Sequence, residues 1–142
     1  MPADLRSATA LVATAAAALV LGGGTARTAT ATDDPCRAQS GGAKPVQLAA
    51  NDGARIYGLE LGGSGTTGVV LAHQYMSDHC EWIDFAKELR AAGVRSLAID
   101  FRGNGASTVG RGSGVRLDRD VAAAAAKLRA DGSKRVYLVG AS

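Results

Sequence analysis

Three short apolar runs alternate with two helical patterns in the second half of the chain. The runs cover residues 68–72, 94–99 and 135–139. The first is continuous, which is typical of a strand buried on both faces, and the third predicts a short buried strand. Between them, residues 79–92 and 117–131 place apolar side chains at the i, i+3, i+4 and i+7 spacing of a helix. Strands that alternate with helices in this way predict an α/β fold with parallel strands and right-handed crossovers.

A β-hairpin is expected before this alternation. Residues 46–48 and 56–61 alternate apolar and polar side chains, and the Asn-Asp-Gly sequence at 51–53 is a turn signal between them. At the start of the first helix, Asp78 and Glu81 have the spacing of a capping box.

Residues 1–31 have the features of a secretory signal peptide. Arg6 precedes an apolar run at 8–21, and the Ala-Thr-Ala sequence at 29–31 fits a small-residue cleavage site. The run is shorter than the ~20 residues that a membrane-spanning helix needs, so an uncleaved anchor is the less favoured alternative. We expect a secreted, extracytoplasmic protein with no membrane span after cleavage.

The composition predicts one domain without a polyanionic partner. Residues 32–44 are rich in Asp, Gly, Ser and Pro and indicate a linker, which leaves 45–142 as the domain. The chain has 16 Lys and Arg against 13 Asp and Glu, a balance that argues against nucleic acid or an anionic membrane surface as a partner.

The sequence contains two cysteines, Cys36 and Cys80. In an exported chain two cysteines can pair, and we favour a disulfide between them. The alternatives are two free thiols or a lipidated Cys36, although the residues before Cys36 lack the small apolar side chains of a lipobox.

Polar segments follow each of the three apolar runs, at the strand ends where open α/β sheets bind ligands. They are His-Gln-Tyr at 73–75, Asp-Phe-Arg-Gly-Asn-Gly-Ala-Ser at 100–107 and Gly-Ala-Ser at 140–142. A buried strand followed by Gly-x-Ser is how a nucleophile elbow begins. The glycine-rich segment 103–114 lacks the Gly-Lys-Ser/Thr of a phosphate loop, and we expect a flexible loop there.

In these segments the chain resembles the α/β-hydrolases, and within them the esterase and dienelactone-hydrolase-like branch. The resemblance covers residues 46–142 and implies the N-terminal half of that fold, a β-hairpin followed by parallel β-α-β-α-β. It implies that Ser142 is the nucleophile and that the backbone N–H of Tyr75 forms half of an oxyanion hole. It also implies that His73 supports the oxyanion loop, although Gln74 stands where the family motif has glycine.

The resemblance gives no catalytic role to the other polar residues near the strand ends. In this fold the acid and the base follow the nucleophile in the chain, so neither His73 nor His79 fits the role of base. We interpret His79 as a solvated residue near the helix start. Asp100 and Arg102 match a structural loop, and no carboxylate or histidine clusters with Asp100 in the sequence, so no metal site is expected.

We therefore expect a secreted serine hydrolase acting on a small carboxylic ester or related acyl substrate, without a cofactor. The chain would be an N-terminal fragment that ends at the nucleophile and is inactive alone; its oligomeric state is not set by the sequence. One alternative is a non-catalytic secreted fragment. The other is a nucleotide-binding segment resembling short-chain dehydrogenases, whose glycine-rich turn opens with the same Val-Gly-Ala-Ser as residues 139–142 but follows the first strand of its domain.

Overall fold

The computed structural model describes residues 34–112 and 115–142, so the predicted signal peptide lies outside the described residues. The elements are β1 (Lys44–Ala49), β2 (Arg55–Leu61), β3 (Thr67–Ala72), α1 (Ile83–Ala91), β4 (Arg95–Ile99), α2 (Leu117–Ala130) and β5 (Arg135–Gly140). Short 3₁₀ helices at Ala38–Ser40 and His79–Trp82 precede β1 and α1. Neither α1 nor α2 is long and apolar enough to cross a membrane.

The strands form one mixed sheet in the order β1-β2-β4-β3-β5. The hairpin β1-β2 joins β4 in antiparallel orientation, while β4, β3 and β5 are parallel. The predicted α/β fold class is therefore confirmed. Ala72 at the end of β3 is in register with Ile99 of β4 and Gly140 of β5, so the segments that follow these three strands begin at one edge of the sheet.

The two helices cover opposite faces of the sheet, because neighbouring residues along a buried strand point to opposite sides. Leu71 of β3 packs with Ile83 and Ala86 of α1, whereas the adjacent Val70 packs with Leu128 of α2. Full burial of a Val, Leu or Ile side chain contributes about 2 kcal/mol to the free energy of unfolding. The apolar runs at 68–72 and 94–99 reflect this double coverage. The expectation of a buried strand at 135–139 is wrong, because no residue of β5 is buried.

The capping box predicted before α1 is only half formed. The Asp78 carboxylate accepts a hydrogen bond of 2.9 Å from the Cys80 N–H, as a cap should. The Glu81 carboxylate instead accepts from the Gln74 N–H, at 3.3 Å. Glu81 therefore ties the helix start to the loop after β3.

Residues 34–43, which we call the N-terminal strap, pack against the domain although they fall in the segment expected to be a linker. Cys36, Ser40 and Ala43 are buried. A disulfide joins Cys36 to Cys80 at the start of the first helix, with 5.5 Å between the Cα atoms and a sequence separation of 44. By loop-closure entropy, a crosslink of this span stabilises the folded chain by about 4 kcal/mol. The strap is thus fastened covalently to the α1 side of the sheet.

Strand β5 pairs with β3 on one side and with no described strand on the other. Its side chains Tyr137 and Leu138 are 54% and 57% exposed. An unpaired strand edge that carries exposed apolar side chains is a template for pairing with another chain.

We expect the 142-residue chain to self-associate through β5. Replacing Leu138 by lysine should shift the chain toward monomer, because a charge on an edge strand opposes pairing. Sedimentation velocity over a range of concentrations measures this. Gln47→Lys, at an exposed position of the other edge strand β1, is the control and should leave association unchanged. A wild-type chain that is monomeric throughout and unfolds cooperatively would contradict the prediction.

Candidate active site

Ser142 lies just beyond the end of β5, exposed at the carboxyl edge of the sheet. The Ala141 N–H donates to the Ala72 carbonyl at 3.2 Å, so pairing with β3 continues one residue past β5. This bond holds the segment containing Ser142 beside the segment that follows β3. The structure thus brings the predicted nucleophile to the edge where His73 and Tyr75 begin the next loop.

His73 is buried and both of its ring nitrogens are occupied. Nε2 lies 3.0 Å from the Phe101 nitrogen, and a backbone N–H only donates, so Nε2 is the acceptor. The proton is therefore on Nδ1, which donates to the Gln74 carbonyl at 2.7 Å. This neutral tautomer joins the loop after β3 to the loop after β4.

The hydrogen bond from His73 also orients the peptide that carries the Tyr75 N–H. The Gln74 carbonyl accepts from the His73 ring and from the Ser77 N–H. In a planar trans peptide the C=O and N–H point in opposite directions, so the Tyr75 N–H is held facing away from the His73 ring. Among the described residues this N–H has no acceptor, and the Tyr75 side chain is 92% exposed.

The interpretation of His79 as a solvated residue is wrong, because the ring is buried with only 5% of the residue exposed. Nδ1 lies 2.7 Å from Asp100 and Nε2 lies 3.0 Å from Asp34 of the strap. A buried polar ring requires partners to offset lost hydration, and these carboxylates supply them. Asp100 and Asp34 lie 21 and 45 residues from His79 in the sequence, so no local sequence pattern predicts that His79 is buried.

Asp100 is fully buried and is the acceptor for several groups. It accepts from the His79 backbone N–H at 2.9 Å, from the His79 ring and from the Ala106 N–H at 3.1 Å. Nothing clusters with Asp100 in the sequence, but the fold brings His79 to it from 21 residues away. The assignment of Asp100 to a structural loop agrees with these bonds.

The pKa values of Asp100 and His79 shift in opposite directions from their ordinary values. Burial alone would raise the pKa of Asp100, but the hydrogen bonds and charge of His79 outweigh burial and lower that pKa. Burial alone would lower the pKa of His79, but the bonds and charges of Asp100 and Asp34 outweigh it and raise that pKa. The geometry therefore favours a carboxylate–imidazolium–carboxylate bridge, with Asp34 further held by a 2.7 Å hydrogen bond from the Tyr57 hydroxyl.

Arg102 forms a second buried ion-pair network. Its guanidinium lies 2.7 Å from Asp52 in the β1–β2 turn and 2.7 Å from Asp120 in α2. The hydrogen bond from Arg102 lowers the pKa of Asp52 to about 2. Arg102 thus connects the hairpin, the loop after β4 and α2, which agrees with a structural role.

The first part of the segment expected to be a flexible loop is fixed by hydrogen bonds. The Ser107 hydroxyl donates to the Asp100 carbonyl at 2.7 Å and accepts from the Tyr57 N–H at 2.8 Å. Gly105 has a φ of +50°, and a Cβ atom there would lie 2.0 Å from the Asp100 carboxylate. The loop therefore wraps tightly over Asp100, and this close approach explains a glycine at 105.

We expect Gly105→Ala to destabilise the chain much more than Gly103→Ala. Both residues have positive φ, but a Cβ atom at 103 meets only Val109, at 3.5 Å. Each alanine costs about 1 kcal/mol in the left-handed region, and at 105 displacing the buried carboxylate should cost a further 2 kcal/mol or more, roughly the cost of leaving a buried charged group unpaired.

Urea unfolding of the two variants at matched protein concentration measures the difference. Equal losses of unfolding free energy in Gly105→Ala and Gly103→Ala would contradict the close approach of the loop to Asp100.

No family model matches the chain, and no curated protein sequence matches it. Solved structures do. The esterase Pf2001 of Pyrococcus furiosus is 23% identical with a TM-score of 0.60, over 73% of this chain and 42% of that one. An esterase of Exiguobacterium antarcticum is 25% identical with a TM-score of 0.58, over 70% and 36%. An epoxide hydrolase from an endophytic Streptomyces is 28% identical with a TM-score of 0.57, over 70% and 29%.

These neighbours have the α/β-hydrolase fold, and the chain has the same fold over the part that matches. The chain spans less than half the length of these solved structures. The predicted resemblance in fold is confirmed. The catalytic roles of Ser142, Tyr75 and His73 stay predictions.

Proposed function

We propose that the chain is the N-terminal part of an exported serine hydrolase that acts on a small carboxylic ester or related acyl substrate. The observation that carries this proposal is the juxtaposition at the sheet edge. Ser142 follows β5 beside the end of β3, where the His73 ring orients the Tyr75 N–H, which has no acceptor in the described part of the chain. Acyl transfer requires a nucleophile and an oriented N–H donor, and here the two follow neighbouring strands at the same end of the sheet.

In this mechanism the Ser142 hydroxyl oxygen attacks the acyl carbon and the carbonyl oxygen becomes an oxyanion. The Tyr75 N–H donates to that oxyanion, and in this fold the second donor is the N–H of the residue after the nucleophile. Loss of one such donor typically costs a factor of about 10² to 10³ in kcat. Because His73 fixes the direction of the Tyr75 peptide, its role is to position the donor.

The proton of Ser142 needs a base, and neither histidine of the chain is free to accept it. His73 uses both ring nitrogens between two loops, and His79 is buried between two carboxylates. The order of catalytic residues in α/β-hydrolases puts both the acid and the base after the nucleophile. We therefore propose that residues beyond 142 supply both groups, and that the 142-residue chain has no turnover.

Export is supported by two independent features. Residues 1–31 have the pattern of a secretory leader, and the Cys36–Cys80 disulfide is of the kind that persists in oxidising compartments. The domain beginning at 45 would then act outside the cytoplasm, with the N-terminal strap attached to it by the disulfide.

The neighbours include epoxide hydrolases as well as esterases. We favour the ester because a serine at the elbow position is suited to forming an acyl intermediate. The dehydrogenase alternative is disfavoured because its glycine-rich turn follows the first strand of a domain, whereas Gly140 ends β5, which four other strands of the described sheet precede.

The purified 142-residue chain should hydrolyse p-nitrophenyl acetate no faster than its Ser142→Ala variant. We also expect the coding sequence beyond codon 142 to continue with any residue and then glycine, which completes the elbow motif. In the protein so extended, a fluorophosphonate should label Ser142, and ester turnover should disappear in Ser142→Ala.

Ser64→Ala is the matched control, because Ser64 is also exposed but precedes β3 at the opposite edge of the sheet. It should retain both labelling and turnover. If the 142-residue chain hydrolysed the ester and Ser142→Ala abolished that activity, the claim that this chain lacks the catalytic base would be contradicted. Labelling at another serine, or turnover of a styrene oxide but of no ester, would refute the proposed nucleophile and reaction.

A further inference from the structure

A second group of chemically active side chains lies on the α1 side of the sheet. One ligand atom from each of four residues lies within 4.8 Å of every other, and we call this set the strap cluster: Asp34, Cys36, His79 and Cys80. The N-terminal strap contributes the first two residues and the 3₁₀ turn before α1 contributes the others. None of these side chains takes part in the proposed ester hydrolysis.

The donor atoms of the strap cluster converge around the His79 ring. Its Nε2 lies 3.0 Å from Asp34 Oδ2, 3.1 Å from Cys36 Sγ and 4.0 Å from Cys80 Sγ. In a tetrahedral zinc site with bonds of about 2.0 to 2.3 Å, the ligand atoms lie about 3 to 4 Å from one another. The distances from His79 Nε2 to the other three donors are therefore those of a first coordination shell, and thiolate, imidazole and carboxylate are all ligands of zinc.

The residues behind the strap cluster form a ready second shell. Asp100 lies 2.7 Å from His79 Nδ1, so that Nε2 faces the other donors. The Tyr57 hydroxyl donates to Asp34 Oδ2 at 2.7 Å and restrains that carboxylate. A carboxylate on the far nitrogen of a ligating histidine recurs in metal sites, where it fixes the ring orientation and raises its basicity.

The sulfur atoms of Cys36 and Cys80 are bonded to each other in this structure, and a disulfide provides no thiolates. We propose that the disulfide and a zinc site are alternative states of the strap cluster. Reduction by a dithiol opens a tetrahedral site for one Zn²⁺, with all four residues as ligands.

The chemistry balances with the dithiol as the two-electron donor. Its thiolate attacks the half-buried Cys80 sulfur, the S–S bond breaks, and Cys36 leaves as a thiolate. The second thiol of the reagent then releases Cys80 and departs in a cyclic disulfide. Zinc binding displaces the protons from both cysteine thiols and from His79 Nε2. Oxidation by a small-molecule disulfide reverses the sequence and expels zinc.

Either state fastens the N-terminal strap to the start of α1. The Cα atoms of Cys36 and Cys80 are 5.5 Å apart, so side-chain rotation can open the sulfur–sulfur distance to that of two zinc ligands. Zinc would then hold the strap in place of the covalent bond when the chain is reduced.

Cobalt(II) is the probe for this site, because tetrahedral thiolate coordination gives intense visible bands and a near-ultraviolet charge-transfer band. The full chain is reduced with dithiothreitol, desalted without oxygen and titrated with Co²⁺ and then Zn²⁺. We expect one Co²⁺ per chain with both spectral signatures, displacement by Zn²⁺, and protection of both thiols from iodoacetamide. The oxidised chain should bind no Co²⁺ and show neither spectral signature.

The ligand set is tested by competition for Zn²⁺ with a chromophoric chelator. Asp34→Asn and His79→Gln should each weaken zinc binding by about tenfold or more, the scale on which even second-shell partners act. Asp84→Asn is the matched control, since Asp84 is on α1 and its side chain is 94% exposed; its affinity should equal that of the wild type.

A further readout on the wild type avoids dependence on variant folding. Zinc should raise the Tm of the reduced chain, because it binds the folded site in preference to the unfolded thiols. Equal Co²⁺ binding by the oxidised chain, weak octahedral spectra, zinc affinity unchanged in both ligand variants, or an unchanged or lowered Tm would each overturn the proposal.

Discussion

The buried carboxylate of Asp100 is the group on which the arrangement of the surrounding loops depends. Its side chain accepts from His79 and from Ala106, and its backbone bonds to Tyr57 and Ser107. These bonds join β2, the end of β4, the turn before α1 and the loop that follows β4. Removing one partner of a buried charge pair typically costs about 3 to 5 kcal/mol, so the loops are held as one unit.

The charge of this unit sets a pH window for its contribution to stability. The pKa of His79 is raised above 6.5 in the folded chain, so its contribution is complete below 6.5 and is lost as pH rises through the folded value. The pKa of Asp100 is lowered below 3.8, so its contribution is present above 3.8 and is lost as pH falls through the folded value. The bridge is therefore strongest from weakly acidic conditions to near neutrality.

The order of strands and helices could be predicted because local sequence patterns determine it. Apolar runs identified three strands, of which β3 and β4 are buried and β5 is not, and helical spacing identified α1 and α2. The Cys36–Cys80 pairing followed from two cysteines behind a leader pattern. The burial of His79, the Arg102 network and the packing of the strap could not be predicted, since they depend on partners 18 to 50 residues away.

In the candidate site, too, the positions of residues along the chain could be predicted, whereas their contacts with distant residues could not. The positions of Ser142, Tyr75 and His73 after two strands were readable from the sequence. The tautomer of His73, and with it the direction of the Tyr75 N–H, depends on the Phe101 N–H from another loop. Side-chain chemistry that joins separate loops becomes visible only when the sheet has brought the strand ends together.

The central physical claim is that a protonated His79 ring bridges Asp34 and Asp100. A pH titration of the ring ¹⁵N chemical shifts, assigned by comparison with His79→Gln, tests it most directly. We expect a midpoint above the ordinary value of 6.5, with protons on both ring nitrogens below that midpoint. A midpoint at or below 6.5, or a ring that stays neutral under weakly acidic conditions while the chain is folded, would contradict it.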